Sequence, residues 1–227
     1  MADRGERKTP EIEEKASKAI LTAEEENVAD IIARGGIIAY PTETVYGLGV
    51  DPFNENAVIK LYRLKGWKLQ PRPVSILLLD VKDMERCVRS IPEKARHLIE
   101  AFWPGPLTLV LPAARDLSPY ITGNAGMVGF RVSSHSELKS LLSPLSQPIT
   151  ATSANPTSLP PARTPKEVRD YFGEAVDWIA PNPTGEGGGQ TSTVVRVEES
   201  GAWSVIRAGA ISHKQIAEVI SGDDSAV

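Results

Sequence analysis

Sulfur, histidine and positive charge are all scarce in this chain, and each shortage removes a class of function. A single cysteine, Cys87, among 227 residues closes no internal disulfide and offers no spaced thiolate set for zinc. It agrees with a reducing cytoplasm as the expected compartment. The three histidines, His97, His135 and His213, sit in or beside expected helices without matching partners and read as surface or core residues. Lysine and arginine number 25 against 29 acidic residues, a formal net charge of −4. A sequence-independent nucleic-acid footprint wants clustered cations instead, so weak or no direct nucleic-acid binding is expected. No run approaches the roughly 18 apolar residues of a membrane span, and the first residues carry alternating charges, so neither export nor membrane insertion is expected. Also missing are a Gly-rich loop closed by Lys-Ser/Thr, Gly-x-Gly-x-x-Gly after a strand, His-Glu-x-x-His and Gly-x-Ser-x-Gly. No triad and no covalent nucleophile is indicated.

What remains is ordinary bulk around one unusual stretch. Hydrophobic residues at 41% and charged residues at 24% describe a globular chain long enough to bury a sizeable core as one domain. It divides into a charged N-terminal extension over residues 1–21, a domain over 22–221 and a tail over 222–227. The organising stretch is Gly35 to Gly49, GGIIAYPTETVYGLG. Ile37, Ile38, Ala39 and Tyr40 predict a buried strand, because β-branched and aromatic side chains pack well on a pleated surface. Pro41 ends its ladder for want of an N–H. Thr42, Glu43 and Thr44 then place two hydroxyls and a carboxylate in a short bend. A ligand site has this composition; so does a turn whose threonines cap their own backbone.

Upstream, Thr22 with Glu25 makes a capping box for a helix carrying Val28, Ile31 and Ile32, stopped by Gly35. Downstream, Asn54 or Asn56 caps a helix with Val58, Leu61 and Tyr62 on its apolar face. Lys65 therefore falls at a helix end, beside a loop from Trp67 to Pro73 that carries Lys68 and Arg72. Val74 to Leu79 predicts a strand buried on both faces, and Pro92 takes the first position of a helix. In FWPGPLTLVLP, two prolines around Gly105 fix a corner before a strand over Leu107 to Leu111, and its Thr108 is assigned no ligand. Arg131 interrupts the apolar strand Val128 to Val132. That placement is costly unless an anion meets the charge or the strand is an exposed edge. Ile149 to Thr152 is a strand running into Ser153, Ala154 and Asn155. A helix from Pro165 to Phe172 and a strand over Val176 to Ala180 follow. Gly185 to Gly189 reads as a linker or a flap ahead of the strands Ser192 to Val197 and Trp203 to Arg207. Ser212 with Gln215 opens a closing helix.

Strands and helices interleave without a repeat, giving a single α/β or α+β domain. The chemistry on offer is a set of cations, hydroxyls and one amide at strand ends: Lys65, Arg131, Arg207, Thr44, Ser153, Asn155 and Ser192. Such a set positions anions and neutralises developing charge.

PTETVYGLG, LKG at Lys65, FWPGPLTLVLP, VGFRV, TATSAN and STVVRV are separated stretches in one order over about residues 22–211. Together they resemble the YrdC-like family of threonylcarbamoyl-AMP synthases. The resemblance implies a twisted mixed sheet of about seven strands flanked by helices, with a ligand site on a concave face. It implies a reaction that joins L-threonine, bicarbonate and ATP into threonylcarbamoyl-AMP and pyrophosphate, for threonylcarbamoyladenosine in tRNA. Thr44 and Ser192 would hold threonine and Arg131 its carboxylate. Lys65, Arg72, Ser153, Asn155 and Arg207 would contact ATP, with Lys65, Ser153 and Asn155 nearest the chemistry. Magnesium would be held mainly by the triphosphate, with no protein metal site. A tRNA threonylcarbamoyl transferase complex would be the downstream partner. The chain departs from the family at one point: the usual Lys-Gly-Arg is here Lys65-Gly66-Trp67, in a loop one residue longer before Pro73. An indole does not replace a guanidinium at a phosphate, so Arg72 or Lys68 would supply the charge, or the activity has drifted. The alternatives are a carbamoyl transferase of the hydrogenase-maturation kind, whose zinc-finger modules one cysteine does not build, and a module for structured RNA, which the acidic balance disfavours.

Overall fold

The structure, a computed structural model, describes residues 27–221. The extension over 1–21, the Thr22–Glu25 box and the tail over 222–227 lie outside the described residues. In chain order the main elements are α1 (Val28–Ala33), β1 (Ile38–Tyr40), β2 (Gly47–Gly49), α2 (Glu55–Leu64), β3 (Ser75–Leu78), a 3-10 turn (Val81–Arg86), α3 (Glu93–Phe102), β4 (Leu107–Pro112), α4 (Pro119–Thr122), β5 (Met127–Val132), α5 (Leu138–Leu141), β6 (Ile149–Ser153), α6 (Pro165–Phe172), β7 (Trp178–Ile179), β8 (Thr193–Val197), β9 (Trp203–Arg207) and α7 (His213–Ser221).

Short polar side chains set the helix starts. Asn27 caps α1 through the Ala29 N–H. Asn54, not Asn56, caps α2 through the Ala57 N–H. Thr164 and Glu167 form a reciprocal capping box on α6, and Ser212 and Gln215 do the same for α7. Pro92 stands one place earlier than expected, as the cap residue before α3.

The described strands form one mixed sheet of nine in the order β7-β1-β2-β6-β3-β5-β4-β8-β9, more than the seven or so expected. The strand missed from the residues is β2, whose glycines disguise it. Those glycines have a packing reason: a Cβ on Gly47 would meet the Tyr40 ring at 2.8 Å. β5 lies between β3 and β4, so Arg131 is on an interior strand, and the edge-strand reading is excluded.

Alternation along the strands sends successive side chains to opposite faces. Ile76, Leu78, Leu109, Phe130 and Val195 enter the larger core, with Leu61 of α2, Leu98 of α3, Val168 of α6 and Ile216 of α7. The other face buries Ile38, Tyr40, Leu77 and Ile149 under Ile31 and Ile32 of α1 and Leu138 of α5. These two short helices cover one end of that face only, and the remainder is left for a site. No helix among the described residues is long and apolar enough to cross a membrane.

Candidate functional site

The uncovered part of the second face is the floor of a cavity of about 290 Å³. Most of the strand residues that line it share one parity, Ser75 and Leu77 of β3, Thr108 of β4, Arg131 of β5, Ala151 and Ser153 of β6, and Thr152 of β6 joins them. Gly129, on the same face, keeps the floor open, since a Cβ there would stand 2.5 Å from the Ser75 hydroxyl oxygen. The walls are Thr42 and Thr44 of the Pro-Thr-Glu-Thr bend, Trp67 and Arg72 of the basic loop, Ser192 before β8 and Arg207 at the end of β9. Thr44, Arg72, Arg131, Ser153, Ser192 and Arg207, scattered over the sequence, are thus brought around one space. Lys65, Lys68 and Asn155 do not border it, nor does any of the three histidines.

Lys65 caps the C-terminal end of α2 and is buried. Its ammonium donates to the Ser153 carbonyl at 2.6 Å, the Asn155 carbonyl at 2.6 Å and Asn155 Oδ1 at 3.1 Å. The Ser153 hydroxyl donates to the same Oδ1 at 2.6 Å. Lys65 therefore ties the end of α2 to the loop that presents Ser153. Burial first, and then the positive charge of Arg72, lowers the Lys65 pKa from 10.5 to about 8. At neutral pH it is still an ammonium. The sign of the linkage follows: between about 8 and 10.5 the unfolded chain binds more protons than the folded one, so this group adds stability as pH rises through that window. Below it both states are charged and the burial cost is felt in full. Urea denaturation at pH 7.5 and 9.5 should show the wild type gaining on Lys65→Met at the higher pH; a constant difference would refute the depressed pKa.

Arg131 finds its anion inside the chain. Its Nη2 lies 2.6 Å from Glu43 Oε1, with side chains 11% and 14% exposed, and the other Glu43 oxygen accepts from the Ser133 hydroxyl. Both Nη atoms also donate to Thr44 Oγ1, at 3.3 and 3.4 Å. Thr42 Oγ1 donates to the Val45 carbonyl at 2.7 Å, which uses its only proton, so the Thr44 hydroxyl is the donor in the 2.9 Å contact between the two. Thr42 thus caps its own turn, and both threonines also border the cavity.

Elsewhere on the wall, Arg207 Nη2 donates to the Ser192 carbonyl at 2.9 Å and to Ser192 Oγ at 3.0 Å. Burial, and then repulsion from Arg131, lower the Arg207 pKa from the ordinary arginine level. Thr108 Oγ1 stands 3.0 Å from Ser192 Oγ. Thr108 is thus a cavity residue that the sequence set aside with the proline corner. Its parity, one step out of register with the core residues Leu107 and Leu109, was the available signal.

In the basic loop the Arg72 guanidinium lies over the Trp67 ring, 3.9 Å from its centroid. The indole meets Tyr62 edge-on at 5.2 Å. Tyr62 Oη donates to the Tyr120 carbonyl at 2.7 Å and accepts the Arg72 N–H at 3.2 Å. Trp67 is a platform that holds Arg72 at the cavity wall. The glycine run is tied down too: Gly188 N–H donates to the Thr44 carbonyl at 2.7 Å and Gly189 N–H to the Glu43 carbonyl at 3.3 Å. A Cβ on Gly189 would stand 2.9 Å from that Glu43 oxygen, so glycine is what lets the two backbones approach.

Residues 30–209 match the family model Sua5/YciO/YrdC, described as "Telomere recombination". The chain belongs to this family. Its curated relatives include a threonylcarbamoyl-AMP synthase of Halorhodospira halophila, 37% identical over 174 residues that make up 76% of this chain and 88% of the relative. One from Idiomarina loihiensis is 43% identical over 156 residues, 66% of this chain and 81% of the relative. Among solved structures, Pyrococcus abyssi Sua5 complexed with L-threonine superimposes with a TM-score of 0.76 at 34% identity. The match covers 85% of this chain and 56% of that larger one. Members of the Sua5/YciO/YrdC family thus share this sheet, and one of them carries an amino acid in its solved structure.

Proposed function

We propose that this protein is an L-threonylcarbamoyladenylate synthase, which condenses L-threonine, bicarbonate and ATP to threonylcarbamoyl-AMP and pyrophosphate for tRNA modification. The observation that carries the reading is the convergence of Thr44, Arg72, Arg131, Ser153, Ser192 and Arg207 on one cavity, in a chain whose relatives bear that name.

The guanidiniums of the cavity suit different substrates. The Arg131 guanidinium offers donors to a carboxylate, and the Thr108–Ser192 pair offers hydroxyls to an amino-acid side chain. Arg72 and Arg207, also on the cavity wall, have no acidic partner among the described residues and suit a polyphosphate. Bicarbonate takes up a proton and loses water to give CO₂; threonine's amine attacks its carbon, a proton leaves the nitrogen, and an N-carboxylate forms. Its oxygen then attacks the α-phosphorus in line, the bond to the β-phosphate oxygen breaks, and pyrophosphate departs with the electron pair. What the residues supply is alignment and neutralisation of charge on the leaving group. The described residues gather no cluster of His, Cys, Asp or Glu, and the cavity wall carries hydroxyls and guanidiniums rather than carboxylates. Magnesium fits this donor set only as a complex with the triphosphate, where it would neutralise phosphate charge.

Lys65 and Asn155 act one step removed in this proposal, by fixing the Ser153 loop. Product would pass to a tRNA threonylcarbamoyl transferase, since a mixed anhydride of this kind is a group donor. The test is direct: protein, ATP, magnesium, L-threonine and bicarbonate should release pyrophosphate together with threonylcarbamoyl-AMP. Pyrophosphate no higher than in threonine-free and bicarbonate-free controls would overturn the reading.

A further inference from the structure

Thr42 and Thr44 border the cavity while Glu43 between them does not. Its carboxylate instead meets Arg131 at 2.6 Å and takes the Ser133 hydroxyl, and its carbonyl accepts from Gly189. Of the three guanidiniums that line the cavity, Arg131 is paired with a carboxylate, whereas Arg72 and Arg207 have none among the described residues. The cations of the site are therefore unequal. Two are bare and one is already neutralised within the chain.

We propose that Glu43 is a specificity-determining positioning residue: pairing with Arg131 from outside the cavity, it holds that guanidinium for the single carboxylate of the amino acid and keeps polyphosphate from occupying it. The proposal rests on threonine binding at Arg131 as argued above. The physical reason is a difference in charge. A neutral Arg–Glu pair still presents oriented N–H donors, which suffices for a monoanion. It has little net field to attract a polyanion, which goes to the uncompensated Arg72 and Arg207. The same pair fixes orientation, because Nη2 is held by Glu43 and both Nη atoms by Thr44, leaving the guanidinium one placement. Specificity here comes from a cation that is screened rather than from one that is added.

Glu43→Gln keeps the shape and removes the charge. In pyrophosphate-release assays it is expected to raise the threonine KM about tenfold, with the ATP KM within twofold of wild type. Added pyrophosphate is expected to become a competitive inhibitor against threonine, several-fold stronger than in the wild type, because the bared Arg131 now accepts phosphate. On an Arg131→Ala background, which leaves no charge to screen, the same substitution should move neither quantity, which a merely structural role for Glu43 would not reproduce. Should Glu43→Gln not fold, Ser133→Ala loosens the same carboxylate and should shift both quantities in the same direction by at least twofold. Unchanged threonine KM and unchanged pyrophosphate inhibition in the variant that folds, or shifts that persist on Arg131→Ala, overturn the proposal. A wild type that consumes no threonine overturns the functional reading itself, and so is distinguished from failure of this one.

Discussion

Arg131→Ala is expected to weaken threonine binding by roughly 1.5 to 3 kcal/mol, about 10- to 150-fold, while leaving ATP affinity nearly unchanged. The same change should lower unfolding free energy by about 3–5 kcal/mol, because it strands a carboxylate in a largely buried place. Both effects come from one side chain that faces two ways. Toward the cavity the guanidinium offers charge-assisted donors; away from it, it neutralises Glu43, whose side chain is 14% exposed. Titration calorimetry with each ligand and urea denaturation separate the two. Adding Glu43→Gln to Arg131→Ala should restore part of the stability without restoring threonine affinity, since the stranded charge is gone but the donors are not back. Equal losses for threonine and ATP would show that the two ligands do not occupy separate parts of the cavity.

The second large effect is expected at Arg72. If the guanidinium missing at Trp67 is supplied from the longer loop, Arg72→Ala should lower kcat/KM for ATP by roughly 30-fold, about 2 kcal/mol of transition-state stabilisation, with the threonine KM unchanged. Lys68→Ala should do little, because Lys68 does not border the cavity and Arg72 does. Trp67→Ala should fall between the two: it removes the ring on which the guanidinium rests at 3.9 Å but not the charge. Steady-state kinetics with ATP varied at saturating threonine read all three. Wild-type rates in Arg72→Ala would mean that the triphosphate is neutralised elsewhere, and an Arg72→Ala defect smaller than that of Lys68→Ala would reverse the assignment within the loop.

Much of this molecule was legible before any coordinates because its signals are local. A capping asparagine, a proline that ends a ladder or a β-branched run acts within a few residues, and so α2, β3, β5 and α6 stand near where their residues place them. β2 was hidden because the property that marks a strand in sequence, bulky branched side chains, was given up there to admit the Tyr40 ring. Thr108 was passed over for a related reason. Its partner Ser192 is 84 positions away, and no pattern within a strand points to a contact at that range.

The sequence alone determined which chemical groups stand at the strand ends, hydroxyls and guanidiniums among them, and set a demand that Arg131 meet an anion. Which anion was decided only by the tertiary structure. The order β3-β5-β4 puts Arg131 inside the sheet, and the bend after β1 swings Glu43 against it. The fold likewise decided that Lys65 points into the Ser153–Asn155 loop rather than the cavity, and that Arg72 rather than Lys68 stands at the wall. The physical reason is common to all three. Residue type sets what a charge requires, and requirement is local; the partner that meets it is fixed by which strands pair and which face each residue takes, and those are properties of the whole sheet.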